Sequence, residues 1–593
     1  MFTLSLSRAV SNSLLGACLS FAAIIASSAS WSQLPTMTKV ASATIPTVEW
    51  TVYGTGLTAG PTPTPISAHL GNGNPIYGKK AMATDAIGNV FVVGSTWDGV
   101  KADYLAIKYD TTGAEIWRRA GNAPTATSTS MLALALDGHG NVALFGGFDD
   151  GSGPLSMVLV HLDPAGHEQW RKVISTGGSA AMASGPSGLA VDALGNIFVG
   201  GVGAGDYLTV KFDQFGNELW RRRAFPNGDV AAFLESIAVD NLNNVVVTGA
   251  SQIGDGYQFL TIKYDNNGVE LWRRGSRMPK TRSDLFELAS NVAVDRDGAI
   301  IVAGNRQDNA LGSQVAQTIR YESNGKEAWR KLSHATNGVA RANVGAVAVD
   351  AAGNAYVGGW SEEGPNDRAR MLTIKYSKGG AELWRANPPS VLTYNFGYDV
   401  GVNADGDVVI TGVSMNDNFD GSFLTIMHNS SGQELWRVTH PHQISGQQAY
   451  ALAFGPGGAV YVGGVAGEPG QPEAMTIQRI VELSAVQFSA ATVSVDENVG
   501  TVRLTVQRAG NLFFPSSVHY ESMNGSATSP SDYEPVQGSL DWVSGDGAPK
   551  SITITIRKDM IKEVEESFSV VLSNPVGAYL GPNAAEIVKI KKQ

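Results

Sequence analysis

One phrase recurs seven times along the chain and constrains its fold more tightly than any bulk property. An alternating apolar stretch leads into an Asp or its stand-in, then a Gly-bearing turn, then Glu-x-Trp-Arg or a close variant. It reads IKYDTTGAEIWRR, HLDPAGHEQWRK, KFDQFGNELWRR, IKYDNNGVELWRR, IRYESNGKEAWRK, IKYSKGGAELWRA and IMHNSSGQELWRV, with tryptophans at Trp117, Trp170, Trp220, Trp272, Trp329, Trp384 and Trp436. Two further segments of period-two character precede each phrase, as in SIAVD followed by NNVVVTGAS. Each unit therefore holds four short strands at a spacing of roughly 50 residues, a period that signals a repeat architecture.

Four-stranded units of that spacing predict an all-β chain organised as a β-propeller, whose blades bury both faces against their neighbours. An eighth triplet (ALAFG, AVYVGGV, MTIQRI) follows Trp436 without a closing Glu-x-Trp-Arg, while PTVEWTVYG near the N-terminus supplies Glu49 and Trp50 without a triplet. The counts balance if the N-terminal strand completes the last unit, which predicts eight blades; seven is the alternative if one unit is degenerate. The expected organisation is a signal peptide at 1–29, a linker at 30–47, the propeller at 48–484 and an antiparallel β-sandwich at 485–593.

The first residues carry Arg8, an apolar run from Leu14 to Ile25 and small residues from Ala26 to Ser30, the pattern of a secretory signal. The single cysteine, Cys18, lies inside it, so the processed chain would hold no thiol. Leu15-Gly16-Ala17-Cys18 also has the form of a lipoprotein box, which would anchor the chain through Cys18. Both readings make it an exported protein: extracellular, on the cell surface or periplasmic. No later window is apolar enough to span a membrane as a helix. The formal charge of −11 argues against a nucleic-acid partner.

Turns between first and second strands (DAIGN, DALGN, DRDGA, NADGD) are short and alike, and plain turn chemistry explains them, including the calcium-suggestive Asp295-x-Asp297-Gly298. Loops between second and third strands vary freely and carry aromatics beside carboxylates. Trp97, Asp98, Trp360, Glu362 and Glu363 are the candidate ligand-binding residues there, suited to stacking and hydrogen bonding a glycan or gripping a cationic protein segment; solubilising loops are the competing reading.

The unit GNVFVVG…YLAIKYDTTGAEIWRR resembles the bacterial SBBP β-propeller repeat, from roughly Glu49 to Val481, a likeness that specifies architecture and not function. From Val486 the text changes. SDYEPV, SITITI, Glu563-x-x-Glu566-x-Phe568 and LSNPVGA in order resemble a Calx-β domain. That resemblance implies calcium, the only cofactor suggested, held by Glu497, Asp532, Asp546, Asp559 and Glu563, because calcium takes six to eight oxygen ligands. Lys558 stands where the family has the first of two aspartates, and its ammonium would repel a cation.

The Asp-x-x-Gly-x-Glu-x-Trp string also resembles the tryptophan-docking motif of eight-bladed quinoprotein dehydrogenases. That likeness implies a blade-locking role for Trp50 and the other seven tryptophans. The quinoprotein chemistry would need a vicinal cysteine pair, which is missing here, so no organic cofactor is expected. His440 and His442 lack a third ligand nearby, and no nucleophile elbow or P-loop occurs. The expectation is a non-catalytic, adhesion-type binding protein with the sandwich as a calcium-responsive element; the competing class is an enzyme sited in the propeller channel.

Overall fold

A computed structural model of the chain describes residues 37–39, 46–53, 80–97, 102–121, 128–149, 156–176, 185–224, 231–253, 256–276, 285–308, 313–334, 341–362, 368–389, 392–418, 420–439, 444–445, 448–466, 474–558 and 564–591. Within them all regular structure is extended, apart from two single 3-10 turns at Pro456–Gly458 and Glu497–Val499. The all-β expectation holds.

Eight successive antiparallel units, called sheets one to eight here, occupy most of the chain, the fourth and fifth linked by a parallel bridge between Tyr257 and Phe286. Sheet one joins Met82–Thr84, Val90–Trp97, Ala102–Tyr109 and Glu115–Gly121. Sheet two runs from Ser128–Leu136 to Glu168–Ile174, sheet three from Gly185–Val191 to Glu218–Ala224 and sheet four from Ala232–Val239 to Glu270–Gly275. Sheet five runs from Leu285–Val294 to Glu327–Ser333, sheet six from Ala342–Val349 to Glu382–Ala386 and sheet seven from Tyr394–Val402 to Glu434–Thr439. Sheet eight holds Gln448–Phe454, Val460–Ala466 and Ala474–Glu482, and its fourth strand is Pro46–Tyr53. That strand pairs antiparallel with Ala474–Glu482, Trp50 standing opposite Arg479. Within the stretch expected as linker, Met37–Lys39 adds a short strand to the edge of sheet seven.

The inner strands read as near-continuous apolar and small residues because neighbouring sheets cover both faces. Ile197–Gly203 and Asp206–Phe212 are buried throughout, whereas the outer strand Glu218–Ala224 is buried only at Trp220 and Ala224. Apolar clusters join consecutive sheets: Leu159 with Val210, Tyr207 with Val247, Phe259 with Val302, Ile301 with Val344, Met371 with Ile426 and Phe423 with Val462 each belong to one cluster. A further cluster joins sheet eight to sheets one and two through Tyr461, Ile477, Met82, Leu105 and Leu134. Sheet eight also meets sheet one by hydrogen bonds. The Tyr461 hydroxyl donates to the Gly88 carbonyl at 2.8 Å and the Thr84 hydroxyl donates to the Phe454 carbonyl at 2.6 Å.

Residues from Ser484 onward form two packed sheets, one of Ser484–Phe488, Thr501–Ala509, Lys550–Thr555 and Ala578–Leu580, the other of Thr492–Asp496, Ser516–Met523, Gln537–Trp542, Glu566–Val576 and Ala585–Lys591. Alternate residues (Val502, Leu504, Val506; Ile552, Ile554; Phe568, Val570, Leu572) turn inward and build a single core, in which the Tyr533 and Phe568 rings stack 3.8 Å apart.

This sandwich rests on the first turn of sheet eight. Asn511 Nδ2 donates to the Gly457 carbonyl at 2.8 Å, and the Arg479 guanidinium lies 5.1 Å from the Phe514 ring centre. Gly457 has φ +69°, and a Cβ there would lie 2.2 Å from the Phe513 ring, so only glycine lets the sandwich seat.

Candidate functional site

The phrase Glu-x-Trp-Arg becomes a set of contacts between sheets. In a regular strand, positions three apart face opposite sides. The register slips by one between the Glu and the Trp of each outer strand, as between Lys108 opposite Trp117 and Tyr109 opposite Glu115. This bulge turns the intervening residue outward, leaving Ile116, Leu219, Leu271 and Leu383 about half exposed, and brings Glu and Arg to one face. The resulting pairs, Glu115 with Arg118 at 2.7 Å, Glu218 with Arg221 at 2.9 Å and Glu270 with Arg273 at 2.6 Å, recur in all seven phrases.

Each indole reaches the next sheet. Trp117 Nε1 donates to the Pro164 carbonyl at 3.1 Å, Trp170 to Gln214 at 2.9 Å, and Trp220, Trp272, Trp329 and Trp384 to Asn266, Ser323, Lys378 and Ser430 at 3.0 Å. The ring lies over the glycine of that turn: a Cβ on Gly166, Gly216, Gly268, Gly325, Gly380 or Gly432 would come within 2.6 to 2.8 Å of it, and all six have φ between +78° and +88°. These glycines carry two duties, backbone and seat. Turn chemistry alone exposed only the first. Trp436 differs, donating to the Glu482 carboxylate at 2.7 Å. The Trp50 side chain lies outside the described residues.

The Asp295 string is consumed by its own turn. Asp295 Oδ1 accepts from the backbone of Asp297 and Ala299 at 2.9 and 2.8 Å, while its other oxygen meets Arg320 at 2.5 Å and Asp297 pairs with Lys378 at 2.7 Å. Both carboxylates of the string are thus engaged by the turn and by neighbouring cations.

At the variable-loop end, Asp98 and Glu363 lie outside the described residues, as does the side chain of Trp97. Trp360 is half-buried and stands edge-on to Phe396 at 5.5 Å, between sheets six and seven. Phe396 in turn stacks on Tyr394 at 6.5 Å, Arg368 lies 5.8 Å from the Tyr394 ring centre, and Arg368 pairs with Asp417 at 3.2 Å. Burial raises the Glu362 carboxyl above its ordinary value, opposed by the charge of Arg341. The structure gathers Trp360 with Arg368, a base of the same loop, and with two residues the sequence left unmarked, Tyr394 and Phe396. Trp97 ends the second strand of sheet one, with sheets seven and eight between it and sheet six.

In the sandwich, the Ile556 amide donates to the Gly500 carbonyl at 3.0 Å and the Arg557 amide to the Asp532 carbonyl at 2.9 Å. The Glu497 turn, Asp532 and Lys558 thus share one end, where the segment carrying Asp559 and Glu563, itself outside the described residues, departs. Asp532 Oδ2 accepts from the Thr528 amide at 2.6 Å, which aims the carboxylate along the loop. Lys558 is exposed, its stem free to turn away. Glu497 and Asp532 are the described carboxylates of the expected set at that end.

Asp546 does not join them, contrary to the sequence expectation. It lies at the opposite end, about 26 Å away along Thr501–Ala509 at the usual rise per strand residue. One strand, Gln537–Trp542, separates Asp532 from Asp546, and a single strand must carry the chain from one end to the other; counting strands would have excluded it. Asp546 Oδ1 accepts from the Ala548 amide at 2.9 Å and its carboxylate pairs with Lys550 at 3.3 Å, holding its proton affinity below the ordinary carboxylate range. Its carbonyl accepts from buried Arg508 at 2.9 Å, and Gly545 bonds Leu512 at 2.7 Å. Asp546 therefore braces the loop that seats on sheet eight. Among the described residues no three His, Cys, Asp or Glu side chains are grouped to hold a metal, and no helix is long and apolar enough to cross a membrane.

Comparison with known proteins bears on this last region. Extracellular matrix organizing protein FRAS1 of Mus musculus is 37% identical over 106 residues, 17% of this chain and 3% of that protein. Sodium/calcium exchanger 1 of Mus musculus is 37% identical over 93 residues, 16% of this chain and 10% of that one. The chain thus spans only a small part of the curated relatives it matches. The crystal structure of the apo-form Calx CBD1 domain shares 27% identity, covering 19% of this chain and 99% of that one, with a TM-score of 0.18. The family match, the two packed sheets and the SDYEPV and Glu-x-x-Glu-x-Phe elements coincide, and residues 482–591 are a Calx-beta domain.

Proposed function

We propose that the chain is an exported, non-catalytic binding protein in which the eight sheets are the blades of one closed propeller and the Calx-beta domain is a calcium-binding adhesion module. The observation that carries the reading is the pairing of Pro46–Tyr53 with Ala474–Glu482, which supplies the eighth sheet with its fourth strand. The eight tryptophans then lock blade to blade. The sandwich sits on the turn end of sheet eight, which leaves the variable-loop end as the ligand platform. Trp360 and Glu362 form its described part, and we assign Trp97, Asp98 and Glu363 to the same platform from their loops in the sequence. A protein segment or glycan is the ligand class that aromatic and carboxylate groups suit.

Calcium would be held by Glu497, Asp532, Asp559 and Glu563 at the free end of the sandwich. Relatives named as an extracellular matrix organizing protein and a sodium/calcium exchanger, which match the sandwich region alone, support the Calx-beta half of this reading. With fewer ligand charges than a site bearing paired aspartates, weak affinity follows. The test is the melting of the full chain in 5 mM calcium against chelator. The sandwich transition should rise by a few degrees, because binding to the folded form alone stabilises it, and Asp532→Asn should abolish the rise. Identical curves would remove calcium from the account.

A further inference from the structure

One junction between repeat sheets differs from the rest. Among the described residues, sheets four and five alone share a ladder, through the parallel bridge of Tyr257 with Phe286. Register carries that bridge outward on both sides. Tyr257 stands opposite Gln252 in sheet four, Phe286 stands opposite Gln307 in sheet five, and Gln307 in turn stands opposite Gln314. Five adjacent strands therefore place Gln252, Tyr257, Phe286, Gln307 and Gln314 in one row, which spans roughly 19 Å at four strand spacings. All five are at least partly exposed, and Phe286 keeps 38% of its surface in solvent.

The row lies at the variable-loop end. Gln252 and Tyr257 flank the loop between second and third strands of sheet four, as Gln307 and Gln314 flank that of sheet five. Two aromatic rings sit at its centre, 5.0 Å between ring centres, with Phe233 backing Tyr257 at 5.8 Å. Three carboxamides flank them, each offering two donors and an acceptor. No member of the row is charged. One position along, Glu287 is buried, meets the Ser276 hydroxyl and faces Arg306 at 3.8 Å, so the charges behind the row are already matched to each other.

We propose that this row binds a neutral oligosaccharide, its pyranose faces laid on Phe286 and Tyr257 and its hydroxyls met by the carboxamides of Gln252, Gln307 and Gln314. Aromatic faces take the C–H side of a sugar ring, while carboxamides, which both donate and accept, suit hydroxyls that do the same. Strands repeat every 4.8 Å or so, at about the length of one pyranose unit, so successive sugars meet successive strands. A cationic or anionic chain would give up hydration there and gain no charge partner along the row. The inference rests on the reading of the variable-loop end as the ligand platform, names the class of ligand it takes, and is independent of calcium.

The test is calorimetric titration of the full chain with cellohexaose, laminarihexaose and maltohexaose, with the matching disaccharides, and with pentalysine and hexagalacturonate as charged probes. Saturable binding of at least one neutral hexasaccharide is expected, at least tenfold tighter than its disaccharide and than either charged probe. Phe286→Ala should weaken it about tenfold, and Gln307→Ala about threefold. Both positions are exposed, so unchanged melting is expected of both variants, and Tyr257→Phe, which keeps the ring, should bind as the parent does. No saturable binding of any neutral hexasaccharide, or binding unchanged in Phe286→Ala, would overturn the proposal. Pentalysine binding that Phe286→Ala or Trp360→Ala weakens would keep the platform and overturn the sugar, whereas no probe responding to either change would overturn both.

Discussion

Six tryptophan seats and the seventh solve the same problem with different material. Between sheets one and seven, each described indole donates to a backbone carbonyl and lies on a glycine of the next sheet's third turn. Trp436 looks onto sheet eight, where the third and fourth strands come from opposite ends of the repeat region and no turn joins them. A side chain stands in, the carboxylate of Glu482. The inner strands use side chains at both kinds of junction, neutral at one and ionisable at the other. Asn305 Oδ1 accepts the Val344 amide at 2.8 Å between sheets five and six, whereas Asp399 Oδ2 accepts the Leu452 amide at 2.9 Å between sheets seven and eight. At sheet eight ionisable side chains therefore stand where a backbone carbonyl or an amide serves elsewhere, and the contact becomes sensitive to substitution and pH.

The contrast can be broken most severely at an ordinary seat. Trp272→Ala removes a buried indole, its hydrogen bond and its cover of Gly325, and is expected to cost about 3–5 kcal/mol in chemical denaturation. The loss should be confined to the repeat sheets, with the sandwich transition unmoved. Gly325→Ala tests the other half of the same seat. A Cβ 2.6 Å from the indole at φ +80° should cost about 2–3 kcal/mol, and an unchanged midpoint would show that the turn accommodates it.

At the interrupted side the sign reverses. Burial raises the Asp399 carboxyl to about 7, against the ordinary value near 4. A folded value above the unfolded one means that the group's favourable contribution is complete below about pH 4 and is lost as pH climbs through about 7. Asp399→Asn should therefore match the parent near pH 4 and exceed it by a few kcal/mol at pH 8. A gain that is flat with pH would sink the assignment. The smallest effect is expected from Glu482→Gln, which keeps an acceptor for Trp436 but removes its charge, at about 1 kcal/mol.

How far the sequence reveals this follows the same division. The seven tryptophans and the unpaired Glu49-Trp50 strand are legible because their spacing is dictated by strand and turn lengths, and the pairing of Pro46–Tyr53 with Ala474–Glu482 follows from counting. The bulge in Glu-x-Trp-Arg is not legible, since a one-residue slip leaves composition and period unchanged; exposed Leu219 and Leu271 are its only trace. Asp546 misled because carboxylates in neighbouring loops look alike in one dimension although strand reversal sends them to opposite ends. Trp360 and Glu362 were found by their loop, but Tyr394 and Phe396 belong to a first strand whose apolar residues read as core.

The strand Pro46–Tyr53 is synthesised more than four hundred residues before its partner Ala474–Glu482. Every shorter chain carries an orphan strand at one end and an unfinished sheet at the other, both open to pairing with other chains. Completion is therefore a single late event that ties the two extremes of the repeat region together, and afterwards neither extreme can peel away without breaking a ladder that the other holds.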